Sequence, residues 1–267
     1  MSLGVSFIYC VERLPAGHPV QRLELQGKTD GAAFRQISWA DLTGLLLSEV
    51  QTLVLHHYPL SVLFAACESG WCAETLEIDY ADDVRATLVH GARRCEMRGL
   101  ASPVATGYHW NVRRLLFHRA CLRGLVSFAT SIPRLESIRR LSGLLPHIVL
   151  PNLTTFTLLC GKPSCNRALQ KEMWDSLLTQ PLLGQAGLLR APQLQCIRLQ
   201  ARVLHCAEED TVISPSALVR FITEHVQLQD GQRPPELRVD GPTVQFFDEP
   251  DALTVLSGLV ESIQYKL

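Results

Sequence analysis

Nine cysteines and nine histidines are the material from which a metal centre or a nucleophilic site would be built, so their spacing is weighed first. Cys67 and Cys72, and again Cys160 and Cys165, stand four residues apart, with His56 and His57 not far upstream. Zinc tolerates such spacing, but neither pair forms a tight knuckle matched by a second pair, and buried structural thiols account for them. Asp79, Asp82 and Asp83 are hard oxygen donors of the kind a divalent cation takes, yet a strand end followed by a helix cap explains all three. Glu208, Glu209 and Asp210 read as a solvated loop face. Gly27-Lys28-Thr29 has the end of a phosphate loop, but the first glycine such a loop needs falls on Arg22, inside a candidate strand, so the tripeptide is a turn. The chain has no Gly-x-Ser-x-Gly elbow, no His-Glu-x-x-His pair and no Gly-x-Gly-x-x-Gly turn after a strand. A triad assembled from distant residues would be recognised by geometry alone, and no member stands out. The expectation is a protein that is not an enzyme and has no catalytic residues, metal or cofactor.

The bulk properties narrow the partners. Lys and Arg number 25 and Asp and Glu 26, a net charge of -1, so the basic footprint of a nucleic-acid or anionic-membrane binder is missing. The densest apolar patches, Leu42 to Leu47 and Leu144 to Leu153, are broken by polar, Gly or Pro residues well short of the roughly 18 that would span a bilayer. Met1 to Cys10 has no basic flank or small-residue cleavage pattern, so no secretory signal is expected. The odd, scattered cysteines fit free thiols in a reducing compartment, cytoplasmic or nuclear, better than a disulfide framework.

Hydrophobic residues make up 47% and charged residues 19%, enough apolar surface to fold a real core over 267 residues. Leucine supplies 44 of them, which points to a repeated apolar frame. One six-residue signature recurs: apolar, polar, polar, apolar, any, apolar. It appears at Val20 to Leu25, Val50 to Leu55, Ala73 to Ile78, Ala92 to Met97, Val112 to Phe117, Leu153 to Leu158, Leu194 to Leu199 and Val260 to Tyr265, with weaker copies at Leu135 to Ile138 and Leu237 to Val239. The second half of each alternates with period two, as a short half-buried strand requires. Helical spacing fills the gaps at Asp41 to Ser48, Leu60 to Cys67, Asp83 to Gly91, Cys121 to Ile132, Arg167 to Leu178, Ser216 to His225 and Asp251 to Leu259. Strand followed by helix, repeated, predicts parallel strands with crossover helices. Asp41, Asp82 and Ser214 or Ser216 suit N-caps, and Pro215 suits an early helical position. Pro133, Pro151 and Pro192 each stand two residues before a signature and would launch its strand.

Early signatures follow one another at 30, 23, 19 and 20 residues, and later gaps, Phe156 to Ile197 and Ile197 to Leu237, are 41 and 40. The long gaps fit either expanded loops or hidden strands. The Leu-x-x-Leu-x-Leu core resembles the leucine-rich repeat family, whose period is about 20–29 residues. It departs from that family where an Asn or Cys should follow the core: Lys28, Tyr58, Ala81, Gly161 and Arg202 stand there instead. The irregular Pro-x-Leu-x-x-Leu-x-Leu strands look most like the C-terminal repeats of fungal F-box/leucine-rich repeat proteins.

That resemblance implies an α/β solenoid over residues 1–267, with 1–19 a cap or remnant and 20–267 the repeats. A parallel sheet would line the concave face and helices or loops the convex one. It also implies a protein-binding module that recognises substrates for an F-box-type ubiquitin ligase, with a Skp-type adaptor as a second partner where an F-box accompanies the repeats. A scaffold unrelated to ubiquitin ligase and an enzyme with a non-local site are the alternatives. On such a sheet the alternate strand residues face solvent, making Glu24, Gln26, His56, Glu77, Asp79, Glu96, Arg98, His118, Thr157, Arg198, Gln200 and Arg238 the expected partner-binding residues, with Val54, Leu116 and Asp240 on the same face.

Overall fold

The computed structural model describes residues 21–26, 50–56, 61–68, 70–80, 84–98, 118–131, 148–160, 189–201, 211–241 and 244–266. The chain divides into two units, Met1–Leu125 and Val126–Leu267. Both are α/β with few helices; the strands are mixed parallel and antiparallel in the first unit and parallel in the second.

The first unit contains strands β1 (Arg22–Gln26) and β2 (Thr52–His56), helix α1 (Ser61–Glu68), strands β3 (Thr75–Tyr80), β4 (Val84–His90) and β5 (Arg93–Arg98), and a single helical turn α2 (Arg119–Leu122). Its strands lie in the order β1-β2-β5-β4-β3. β1, β2 and β5 are parallel, whereas β3, β4 and β5 form an antiparallel meander. The signatures put Leu23, Leu53, Cys95 and Met97 on one buried face, joined by Leu76, Ile78, Ala86 and Leu88. Withdrawing each of the larger side chains from water contributes about 1.5–3 kcal/mol.

The meander corrects the expected helix over Asp83 to Gly91. Val84, Thr87 and Val89 are β-branched, and Ala86 and Leu88 alternate inward, which suits a strand better than a helix. Gly91-Ala92 is then a two-residue hairpin loop, and Gly91 supplies the positive φ of 55° that such turns require at their first position. The hairpin also changes the strand order. β2 pairs with β5, Leu53 opposite Cys95, so the third signature does not lie beside the second.

In the second unit, β6 (Ser127–Ser131), β8 (Thr155–Cys160), β10 (Cys196–Ala201), β13 (Glu236–Asp240) and β15 (Ile263–Lys266) are parallel neighbours in that order. A second parallel ladder joins the short strands β7 (Ile148–Val149), β9 (Leu189–Arg190) and β12 (Val226–Gln227), and β11 (Thr211–Ile213) pairs with β14 (Val244–Phe246). Helix α3 (Pro215–Arg220) runs into a π-helical turn, Phe221–His225, and α4 (Pro250–Leu259) precedes β15. The helices expected at Leu60, Ser216 and Asp251 therefore form, and Ser214 caps α3, its hydroxyl accepting from the Ala217 amide at 3.2 Å with Pro215 next to it.

The span Cys121 to Ile132, expected as one helix, is instead the turn α2 followed by β6. Gly124 ends the helical stretch where Cys72 Cβ and the Ala73 carbonyl approach so closely that an added Cβ would meet them at 3.1 and 3.2 Å. Leu125-Val-Ser-Phe-Ala-Thr130 is thus a signature that sequence reading missed, because its last apolar place is taken by Thr130. Phe128 pairs in register with Phe156.

The turn before each of three signatures is built alike. The amides of Leu125, Leu153 and Leu194 donate to the carbonyls of Leu122, Leu150 and Ala191 at 3.1–3.2 Å, and all three leucines are buried. Pro151 and Pro192 stand in these turns. The long gaps are settled by pairing: β8 neighbours β10 and β10 neighbours β13, so no strand of this sheet lies between them. The intervening β9, β11 and β12 belong to the smaller sheets. The in-register step from Leu53 to Cys95 is therefore 42 residues, where counting signatures gave 23 and then 19, whereas the steps of 41 from Phe156 to Ile197 and 40 from Ile197 to Leu237 are the gaps that the signatures showed. Phe128, Phe156 and Phe221 form the aromatic centre of this unit, with successive centroids 5.6 and 5.7 Å apart. Among the described residues no helix is long and apolar enough to cross a membrane. The signatures at Val112 and Leu135, the helices expected at Asp41 and Arg167, and the caps at Asp41 and Asp82 lie outside the described residues.

Candidate functional site

Period-two alternation leaves each main sheet one face that is not leucine-lined, and register arranges that face in rows. In the first unit one row runs Glu24, Val54, Glu96, Thr87, Glu77 across β1, β2, β5, β4 and β3. Beside it, Gln26, His56 and Arg98 align, and Asp79 is opposite Arg85. Glu96 is the centre of this surface. Only 3% exposed, it has Arg98 Nε at 2.6 Å, Arg85 Nε at 3.1 Å and Arg94 Nε at 3.9 Å. A buried carboxylate loses its hydration, and the guanidinium groups replace it. Glu24 takes two hydrogen bonds from Arg22, at 2.7 and 2.5 Å, and lies 3.7 Å from His56 Nε2. The Arg22 hydrogen bond holds the Glu24 carboxyl below its ordinary range against the opposing effect of burial, with the charges of Arg22, His56 and Arg98 assisting.

In the second unit the corresponding row is Ala129, Thr157, Arg198, Arg238, Gln264. Arg198 and Arg238 stand directly opposite each other, a repulsive arrangement by itself. Each has its own acid: Arg198 Nε donates to Asp240 at 2.8 Å, and Arg238 donates to Glu236 at 2.7 and 3.0 Å. The Glu236 hydrogen bonds, foremost, raise the Arg238 pKa further. Gln200 is exposed in the next row, between Leu159 and Asp240.

The structure thus brings Glu24, His56, Glu77, Glu96 and Arg98 to one face of the first unit, and Thr157, Arg198, Gln200 and Arg238 to one face of the second. Gln26 and Asp79 are placed by strand register. Four expectations change. Val54, Glu96 and Thr157, expected in solvent, are 0%, 3% and 4% exposed. Cross-strand neighbours stand about 4.5–5.5 Å apart, and long side chains drawn together as ion pairs shield what lies between them. His118 does not sit on a strand face: it immediately precedes α2, stacks on Phe64 of α1 with centroids 4.0 Å apart, and contacts Glu68 at 3.2 Å. Leu116 lies outside the described residues.

Sequence reading missed Arg22, Arg94 and Glu236, which occupy the place two residues before Glu24, Glu96 and Arg238. The signal was present, since residues i and i+2 of a strand share a face, but only the second half of each signature, which alternates with period two, was read for that face. Arg85 was missed because its strand was read as a helix. For the other chemistry candidates, no group of three metal-binding side chains occurs among the described residues. Cys67, Cys72, Cys95, Cys121, Cys160 and Cys196 are free thiols, and burial pushes those of Cys95 and Cys160 up to about 12. Cys165, His57, Asp82, Asp83, the Glu208 cluster and Gly27 to Thr29 lie outside the described residues. No protein-family model matches the chain, and neither does any curated protein or solved structure.

Proposed function

We propose that the chain is a protein-interaction module of the leucine-rich repeat-like solenoid kind, binding its partner through the ion-paired strand faces. One observation carries this reading: β1 pairs with β2, β2 with β5, and β8, β10 and β13 with one another in parallel register, so that acidic and basic side chains of different strands line up in rows on the face away from the leucines. The repeated Leu-turn before β6, β8 and β10 and the second parallel ladder support a solenoid, because both come from stacking equivalent turns. Such a surface presents fixed charges at low entropic cost, which favours selective recognition of a folded protein or an extended segment with complementary charge.

Charge reversal tests it. Arg94 and Arg238 have side chains 47% and 46% exposed, so Arg94→Glu and Arg238→Glu alter the surface. Proteins captured by the purified chain should be lost, with affinity falling about tenfold or more where the arginine is a central contact. Undiminished capture by both variants and by Glu77→Lys would place the interface elsewhere. The ubiquitin-ligase form of this role rests on the family resemblance, and co-purification of a Skp-type adaptor with the full-length gene product is its test. Capture of partners without an adaptor would favour a scaffold.

A further inference from the structure

Two buried thiols belong to no recognition surface. Cys67, in α1, and Cys121, in α2, are 4% and 1% exposed, and their sulfurs are 2.7 Å apart, with Cys121 donating to Cys67. That separation is only about 0.7 Å more than a disulfide bond. The backbone around them is already held in place. Glu68, next to Cys67, contacts His118 at 3.2 Å, His118 stacks on Phe64 at an interplanar angle of 2°, and α1 packs on α2. Closing the gap requires a sulfur movement of about 0.7 Å.

We propose that Cys67 and Cys121 are a reversible oxidation site, converted by hydrogen peroxide into a disulfide that fastens α1 to α2. The Cys67 sulfur attacks one peroxide oxygen, the O–O bond breaks, and Cys67 becomes a sulfenic acid as one water leaves. The Cys121 sulfur then attacks the Cys67 sulfur; the S–S bond forms, the S–O bond breaks, and a second water departs. The two sulfurs give up two electrons to the peroxide, and both thiol protons end in water. The order follows from the hydrogen bond, which together with burial holds the proton on Cys121 and raises its pKa. Cys95 and Cys160, whose thiols burial pushes up to about 12, keep their protons and stay reduced. A thiol reductant reverses the change by exchange, which suits a site that signals oxidant exposure. The disulfide would lock the Phe64–His118–Glu68 contacts that share the same two helices.

The test uses the full chain. After hydrogen peroxide treatment and alkylation of remaining thiols, cleavage after glutamate separates Cys67 from Cys72 at Glu68, and mass spectrometry reads the pairing. The expected product is a Cys67–Cys121 linked fragment, lighter by two hydrogens than its reduced parts and lost on treatment with a thiol reductant. Cys72→Ser should retain it, and Cys67→Ser and Cys121→Ser should each abolish it. Full alkylation of both thiols after peroxide, or linkage through Cys72 instead, would overturn the proposal, and the wild-type map decides even where a variant fails to fold.

Discussion

A carboxylate withdrawn from water needs cations near enough to replace its hydration, and Glu96 has three, from Arg85, Arg94 and Arg98. Redundancy makes the arginines individually dispensable. Arg85→Ala or Arg98→Ala alone should cost below about 1 kcal/mol, as for other partly exposed ion pairs. Together they leave the buried carboxylate with only the distant Arg94, so the double variant should lose roughly 1–3 kcal/mol beyond the sum of the singles. Urea unfolding of the four proteins measures that coupling, and strict additivity would show that Glu96 draws its support elsewhere. Glu24 is a milder case, since it and Arg22 have side chains 40% and 38% exposed. Its native pKa is lowered from 4.5, so its contribution is present above the unfolded value and is lost as pH falls through the native one. Glu24→Gln should therefore destabilise by less than about 1 kcal/mol at neutral pH, and the difference from wild type should vanish in acid.

Elements are decided by short local signals competing with periodicity. Ser214 is fully buried and satisfies the Ala217 amide, while Glu249 Oε2 accepts from the Ser216 amide at 3.1 Å. Two oxygens thus share the free donors at the start of α3, and Ser214→Ala should cost about 1 kcal/mol, seen as a lower urea midpoint at unchanged slope. This cap, its proline and the strands of most described signatures were legible in the sequence because each rests on residues adjacent in the chain. The hairpin was not. Between Asp83 and Gly91 a helical spacing of apolar residues coexists with β-branched Val84, Thr87 and Val89, and what resolves the tie is pairing of β4 with β3 and β5, which no window on the segment contains. The charged strand faces were half legible for a related reason. Strand alternation identifies which side chains share a face, but the burial of Glu96 and Thr157 depends on neighbours from other strands.

At the scale of the whole chain, register rather than signature count sets the step from Leu53 to Cys95, where the β3–β4–β5 meander intervenes. Buried thiols recur through both units: Cys95 pairs in register with Leu53, and Cys160 ends β8. Burial pushes both pKa values from 9.0 up to about 12, and those of Cys121, Cys196 and Tyr265 also rise. The sign of the consequence follows from proton counting. Between the unfolded and native pKa values the unfolded chain has released protons that the native chain keeps, so stability is intact below about pH 9 and declines as pH rises towards 12. Each such thiol should contribute a slope of up to about 1.4 kcal/mol per pH unit. Urea midpoints at pH 8 and pH 10 should fall measurably for the wild-type chain in the presence of a reductant, and Cys95→Ala with Cys160→Ala should reduce the fall while costing some packing at both pH values. An equal fall in the double variant would assign the alkaline loss to other groups, with Tyr265, on the outermost strand of the second unit, the first to examine.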